Sequence, residues 1–252
     1  MLSCRGMFPT RVVSLLYPPT CLLCRAPLPA LRARQAGLPS GTVCEECAIA
    51  MPDHPRPVCV RCGVGLPGAF DAVAPCPPCR RRPPNFEMAR APWPYAGPVQ
   101  AAIRQFKYHR HWRLGRWLAD GMSMTAQASL PLEEVSAVLP VPLHWLKRWL
   151  RGWNPAEELA ASVAHSLGKP CRPRVLRRIR WTATHTRLGW RARARNVREA
   201  FAAREHLVRD QTLLLVDDVL TSGATANACA LALRNAGARR VLVLTAARTP
   251  LT

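Results

Sequence analysis

The sequence is poor in acidic residues. Its 252 residues contain only 15 Asp and Glu against 36 Lys and Arg, a formal net charge of +21 at pH 7. Lysine is scarce as well, since only three of these cations are Lys. A codon bias explains Arg in place of Lys, but not cations in place of acids. The acids are too few to neutralise the cations, so the balance favours a polyanionic partner, either a nucleic acid or an anionic membrane surface.

Long apolar runs are also missing. No segment offers the roughly 18 uninterrupted apolar residues of a membrane-spanning helix. Near the N-terminus, Val12–Tyr17 is too short for a secretory signal and leads into Pro18-Pro19 without a small-residue cleavage site. These absences predict a cytoplasmic protein without a transmembrane segment. A peripheral contact of Met7–Tyr17 with a membrane surface stays open as an alternative.

Eight of the eleven cysteines form Cys-x-x-Cys pairs. Two thiolates at this spacing reach one tetrahedral zinc from a tight turn, and a second pair completes the four ligands. The spacers of 19 and 13 residues suit zinc ribbons. A redox dithiol needs only one pair, and a disulfide framework needs an oxidising compartment. The pattern predicts two structural zinc ions, with sequential or interleaved pairing left open, and these ligands: Cys21, Cys24, Cys44, Cys47, Cys59, Cys62, Cys76 and Cys79.

The two parts of the chain differ in composition. Residues 1–88 are rich in Cys and Pro and poor in apolar runs, so metal binding would supply much of their folding free energy. Residues 89–252 have the apolar content of an ordinary globular core. We therefore predict a small double zinc-ribbon module at 1–88 and a larger domain at 89–252.

The larger domain has an α/β pattern. Right-handed crossover connections make successive strands of a βαβ unit parallel, so the pattern predicts an open, mostly parallel sheet. The segments that carry this prediction are a strand over Val135–Val141, a helix with Asn154 as its N-cap and Pro155 as its first residue, a strand over Thr212–Val216, a helix over Ala224–Ala236 and a strand over Arg240–Thr245.

The segment between the last of these helices and the strand before it carries two acids and a hydroxyl-rich turn. Asp217 and Asp218 are followed by Thr221-Ser222-Gly223-Ala224-Thr225. Open α/β folds bind ligands at the carboxyl edge of the sheet, and the free N–H groups that open a helix favour a phosphate. Ionised carboxylates accept hydrogen bonds only, which suits the hydroxyls of a ribose. The order of acids, apolar residues and Thr-Ser-Gly-x-Thr resembles the phosphoribosyl-diphosphate motif of type I phosphoribosyltransferases.

Nearly the whole chain resembles the ComF family of competence-associated proteins, which join a zinc ribbon to a phosphoribosyltransferase-like domain. Two departures affect neighbouring loops only, namely Pro155 and His185, where the family usually has Gln. The resemblance rests, besides the acid pair, on Phe106-Lys107-Tyr108, Pro140-Val141-Pro142-Leu143-His144, Arg151-Gly152-Trp153-Asn154, Arg193, Asn196 and Phe201.

The resemblance implies a role for each part of the motif. Asp217 and Asp218 would hold the ribose and act as the catalytic residues of an active enzyme. The segment Thr221–Thr225 would hold the 5-phosphate, and Arg151 and Gly152 would lie near the diphosphate. An active enzyme would also use magnesium bound through the diphosphate.

A second candidate site is a run of arginines interleaved with tryptophans. No acid occurs between Glu158 and Glu199. Guanidinium groups that follow phosphates and indoles that stack on bases are typical of single-stranded nucleic-acid binding. A solvated loop with its tryptophans packed inward is the alternative. The candidate residues are Arg178, Arg180, Trp181, Arg187, Trp190, Arg191 and Arg193.

Two functions are consistent with these motifs. The first is a factor of DNA uptake that binds a phosphoribosyl ligand and single-stranded DNA and works with DNA-uptake or helicase proteins. The second is an active phosphoribosyltransferase of nucleotide metabolism with the ribbons as a structural appendage. Whether the chain catalyses a reaction, and on which acceptor, stays open, as does its oligomeric state.

Overall fold

The computed structural model describes residues 20–28, 43–66, 68, 74–143, 149, 151–179 and 200–251. Within these ranges none of the helices is long and apolar enough to cross a membrane. The elements, in chain order, are α1 Glu45–Ile49, α2 Pro77–Arg81, β1 Met88–Arg90, β2 Trp93–Pro94, α3 Gly97–His109, α4 Trp112–Ser129, β3 Val135–Pro140, α5 Pro155–Ser166, β4 Leu176–Arg178, β5 Phe201–Ala203, β6 Thr212–Leu220, α6 Ala224–Asn235 and β7 Arg240–Arg248.

The main sheet has the strand order β1-β7-β6-β3, and β2 pairs with β7 beyond the end of β1. All of these pairings are parallel. The short strands β4 and β5 form a separate antiparallel pair. The predicted open and mostly parallel α/β sheet is therefore confirmed.

Both faces of the sheet are covered, which explains why its strands are apolar without interruption. On β6, Leu213 and Leu215 face a core layer that contains α6, while Leu214 and Val216 face a layer formed by α3, α4 and α5. At the carboxyl edge of the sheet, the buried central strand β6 leads into α6.

The second group of four cysteines belongs to the core of the sheet. Its members lie in the same buried layer as α6, together with Phe86 and Ala89. The Ala89 amide donates to the carbonyl of Arg61 at 2.7 Å. At Gly63, which has φ +65°, a Cβ would lie 2.5 Å from the Ala89 carbonyl oxygen, so only glycine allows this approach. The predicted boundary at 88/89 stays a prediction; the chain on its two sides shares one buried layer.

Two strands are longer than the sequence predicts. Strand β6 continues past Val216 to Leu220, and β7 continues past Thr245 to Arg248. The parallel ladder imposes this extension, because Asp217 is paired with Thr245 and Leu220 with Arg248. The acid pair therefore lies within the last four residues of β6 and not in the loop that follows.

Candidate functional site

The connection between β6 and α6 is a short exposed loop. Gly223 precedes the helix in a left-handed conformation, φ +77°, and its carbonyl accepts from the Asn227 amide at 2.8 Å. A Cβ at Gly223 would meet only the Leu220 side chain, at 3.9 Å, so the backbone conformation and not the space requires glycine. Thr221, Ser222 and Ala224 are exposed. The Ala224 amide donates to the Ser222 hydroxyl at 3.4 Å. The first N–H groups of this 12-residue helix have no partner within the helix and lie beside the Thr221 and Ser222 hydroxyls, an arrangement that favours an anion.

The two acids lie on opposite faces of β6, since successive side chains of a strand alternate. Asp218 lies on the face toward α3, where its carboxylate is 2.7 Å from Lys107 Nζ. Asp217 lies on the face toward α6, close enough to Cys229 for their charges to interact. Its Oδ1 accepts from the Asp218 amide at 2.9 Å. The carboxyl groups thus lie on the two faces of the strand, Asp217 toward α6 and Asp218 toward α3.

Burial raises the pKa of Asp217 to about 8, and the negative charge of Asp218 adds to this effect. The hydrogen bond from the Asp218 amide and the charge of Lys107 act in the opposite direction. A carboxyl group with such a pKa can gain or lose a proton near neutral pH. Burial also raises the pKa of the neighbouring Cys229 thiol, so this cysteine remains a neutral packed side chain.

Lys107 was not predicted as a site residue, although it belongs to the Phe106-Lys107-Tyr108 motif. It lies on the last turn of α3, 111 positions before Asp218 in the sequence. Phe106 is fully buried and fixes the helix, which leaves Lys107 at the rim of the site. The available signal was its residue type, because lysine is rare in this chain and arginine is the usual cation.

Arg151 and Gly152 precede α5 on the α3 side of the sheet. The Arg151 guanidinium lies over the Tyr108 ring, 5.3 Å from its centroid, so it neighbours the helix turn that carries Lys107. Gly152 has φ +75°. Asn154 caps α5 through the Ala156 amide at 3.2 Å, as predicted, and also donates to the Val141 carbonyl at 3.1 Å. These bonds connect the end of β3 to the start of α5; a role for Arg151 and Gly152 at a diphosphate stays a prediction.

Of the predicted nucleic-acid residues, only Arg178 lies within the described ranges. Its guanidinium is 5.4 Å from the centroid of the Phe201 ring, across the β4–β5 pair. Arg180, Trp181, Arg187, Trp190, Arg191 and Arg193 lie outside the described residues. The chain leaves this pair at Ile179 and returns at Ala200, where the Ile179 amide donates to the Ala200 carbonyl at 2.7 Å.

The eight paired cysteines form two clusters, and the pairing is sequential. In each cluster the four sulfur atoms lie within 4.8 Å of one another. The first comprises Cys21, Cys24, Cys44 and Cys47, the second Cys59, Cys62, Cys76 and Cys79. Backbone amides point at the sulfurs, for example from Cys44 and Cys76 at 3.3 and 3.1 Å, which stabilises thiolates. Four converging thiolates match the ligand set of a structural zinc.

The zinc-ribbon part of the chain matches a known family. Residues 12–83 match the double zinc ribbon domain family. Among solved structures, the chain resembles a glutamine phosphoribosylpyrophosphate amidotransferase from B. subtilis with 21% identity and a TM-score of 0.39, over 56% of this chain and 30% of the amidotransferase. The chain thus spans less than a third of the length of that enzyme.

Three relatives align with most of this sequence. The DNA utilization protein YhgH of Salmonella typhimurium is 33% identical over 93% of this chain and 99% of its own length. YhgH of Escherichia coli K12 is 30% identical over the same shares. Competence protein F of Haemophilus influenzae is 28% identical over 76% of this chain and 85% of its own length. Together with the ribbon clusters and the parallel sheet, these relatives show that the chain belongs to the ComF family, in which a double zinc ribbon precedes a phosphoribosyltransferase-like domain.

Proposed function

We propose that the chain binds a phosphoribosyl ligand, phosphoribosyl diphosphate or a related compound, and acts on single-stranded DNA in DNA utilisation and natural transformation. The observation that carries the ligand part is the position of the acid pair. Asp217 and Asp218 lie near the end of the central strand, which leads through Thr221–Gly223 into the start of α6. Carboxyl groups that can bind ribose hydroxyls and helix amides that can bind a 5-phosphate thereby lie on one strand–loop–helix segment.

Calorimetric titration with phosphoribosyl diphosphate tests this site. Asp217→Asn combined with Asp218→Asn should weaken binding by at least about tenfold, since both carboxyl partners of the ribose hydroxyls are lost. Glu133→Gln is the matched control, because this exposed acid lies before β3 at the opposite edge of the sheet. Unchanged affinity in the double variant would overturn the site assignment.

An exposed surface beside the site supports the nucleic-acid part. Residues 108–113, Tyr-His-Arg-His-Trp-Arg, are all exposed where α3 passes into α4. We call them the 108–113 corner. Tyr108 and Trp112 are 71% and 61% exposed, and Arg110 adopts φ +52°. Exposed rings among cations suit stacked bases and phosphates. The corner follows Lys107 directly, so a bound strand would run past the acid pair.

Fluorescence anisotropy with a labelled single-stranded oligonucleotide tests this part. Tyr108→Ala with Trp112→Ala should weaken binding by about tenfold or more. The control is Met124→Ala, an exposed apolar residue on α4, the helix that begins at Trp112, and it should have no effect. If Arg187→Ala with Trp190→Ala weakens binding and the corner variants do not, the predicted Arg-Trp segment is the interface and the corner is not. Absence of binding at moderate salt would refute the nucleic-acid role.

The alternative function is an active phosphoribosyltransferase of nucleotide metabolism. The raised pKa of Asp217 favours it, because a carboxyl near neutrality can exchange a proton with an acceptor. In that case magnesium would bind with the diphosphate near the acid pair, whose oxygens suit this ion. Release of diphosphate with a panel of nucleobases would establish the activity, and its absence with every base would favour a binding role.

A further inference from the structure

A single buried arginine joins the second cysteine cluster to the loop of the proposed ligand site. Arg248, the last residue of β7, is only 8% exposed. Its Nε donates to the Cys62 carbonyl at 3.2 Å, and its Nη1 donates to the Leu220 carbonyl at 2.9 Å and to the Thr249 carbonyl at 2.9 Å. Nη1 also donates to the carbonyl of Thr221. The guanidinium therefore holds a metal-ligand residue and the first residue of the loop at the same time.

The partners of Arg248 are unusual for a buried cation. Within the described residues its polar contacts are backbone carbonyls and the Cys62 sulfur, which is 3.8 Å from Nη2, and none is a carboxylate. A buried guanidinium ordinarily needs a negative charge nearby. Four thiolates around one Zn²⁺ carry a net charge of roughly −2, so a metal-loaded cluster would supply that charge. The donor set of the second cluster fits this requirement.

The two ends of β7 offer an internal comparison. At its start, Arg240 forms ion pairs with two acids, Glu87 and Glu134. At its end, Arg248 has the cysteine cluster in the place of those acids. Both arginines tie segments distant in sequence to the sheet, but only Arg248 reaches the loop that leads into α6.

We propose that Arg248 is a positioning residue that fixes the start of the Thr221–Thr225 loop relative to the second cysteine cluster. Metal at Cys59, Cys62, Cys76 and Cys79 then controls how well the loop is ordered and how tightly it binds its ligand. The effect on ligand affinity rests on the proposed function, whereas the link between the second cluster and the loop does not. The first cluster has a different position: among the described residues, those beside it, such as Leu22 and Val43, pack against the α3–α5 layer. Its metal should leave the loop unchanged.

The test uses Arg248→Lys, which keeps the charge but cannot bond to several carbonyls at once, and Arg240→Lys as the control. We measure zinc per chain, hydrogen–deuterium exchange of the amides at 220–225, and affinity for phosphoribosyl diphosphate. Arg248→Lys should retain two zinc ions, exchange the loop amides faster and bind about tenfold more weakly, while Arg240→Lys should leave the loop unchanged. Unchanged loop exchange in Arg248→Lys would overturn the proposal.

A chelator titration of the wild-type chain gives a second measurement that needs no variant. Cys24→Ser, which affects the first cluster, provides its control. Loop amides should lose protection only when zinc leaves the second cluster, and Cys24→Ser should not change them. Loss of protection when zinc leaves the first cluster instead would refute the link between the second cluster and the loop. If the loop amides of the wild-type chain are protected from exchange but the chain does not bind phosphoribosyl diphosphate, the proposed function is wrong. The exchange measurements on Arg248→Lys then still decide the role of Arg248.

Discussion

Replacing Asp217 by Asn should stabilise the fold above neutral pH while it weakens ligand binding. Burial raises the pKa of Asp217 to about 8 from an ordinary value of 3.8. Between these values the unfolded chain has lost the proton that the folded chain keeps, so the stability of wild type falls as pH rises from about 4 to about 8. Asn cannot ionise, and the variant does not share this loss.

The size of the effect follows from the position of the side chain. One pKa unit corresponds to about 1.4 kcal/mol, but Asp217 is partly accessible to solvent and the charge of Lys107 favours its ionised form. We therefore expect only a fraction of the full shift, about 2 kcal/mol at pH 8.5, and close to zero below pH 4. The gain should appear as a pH-dependent difference in the free energy of unfolding between variant and wild type. Because other groups titrate in both proteins, their contributions cancel in this difference.

Urea denaturation at saturating zinc, followed by tryptophan fluorescence from pH 4 to 9, measures this difference. Asp210→Asn, an exposed acid in the turn before β6, controls for the loss of one negative charge. A variant that is equally destabilised at every pH would show that the carboxylate is bonded in its ionised form, and would refute the explanation of the raised pKa. Affinity for phosphoribosyl diphosphate should fall in the same variant, so a gain in stability would coincide with a loss of function.

Three further substitutions test the surroundings of the site. Lys107→Met removes the cation 2.7 Å from the Asp218 carboxylate and should lower the free energy of unfolding by about 1–2 kcal/mol, measured by urea denaturation against Lys169→Met. Asn154→Ala loses the cap of α5 and the bond to Val141, which should cost about 1–2 kcal/mol in the same assay. Gly121→Ala places a Cβ 2.3 Å from the Trp93 ring, and we expect a loss of about 1–3 kcal/mol; a neutral result would show that Trp93 moves aside.

The sequence predicted those features that depend on neighbours along the chain. The apolar run at Leu213–Val216, the cap at Asn154 and the paired cysteines each satisfy a local requirement of the backbone or of a metal, and the structure confirms the strand, the cap and the two groups of four cysteines. The sequential pairing, which the sequence left open, comes from the structure. The extension of β6 through Asp217 was not predicted, since acids disfavour strands and the pairing with Thr245 is a property of the sheet.

Contacts between distant residues account for what the sequence did not reveal. Lys107 meets Asp218 because α3 packs its buried face on the sheet, and Arg248 meets Cys62 across 186 residues because the second cluster lies in the same layer as α6. Neither contact leaves a periodic signal in composition or spacing. Each becomes visible only once the order of strands is known.

These distant contacts alter the physical interpretation of the ribbons. A domain held by metal alone could be removed without consequence for a ligand site elsewhere, but the second cluster shares its buried layer with Leu213 and Leu215 and its Cys62 shares a guanidinium with Thr221. Loss of its metal would leave a buried cation without a counter-charge and a core layer without one wall. The residues beside the first cluster, which has an exposed Cys24, pack instead against the α3–α5 layer. We therefore expect the two metal sites to differ in what they support, the second maintaining the ligand loop and the first maintaining its own ribbon and the contact of that ribbon with the α3–α5 layer.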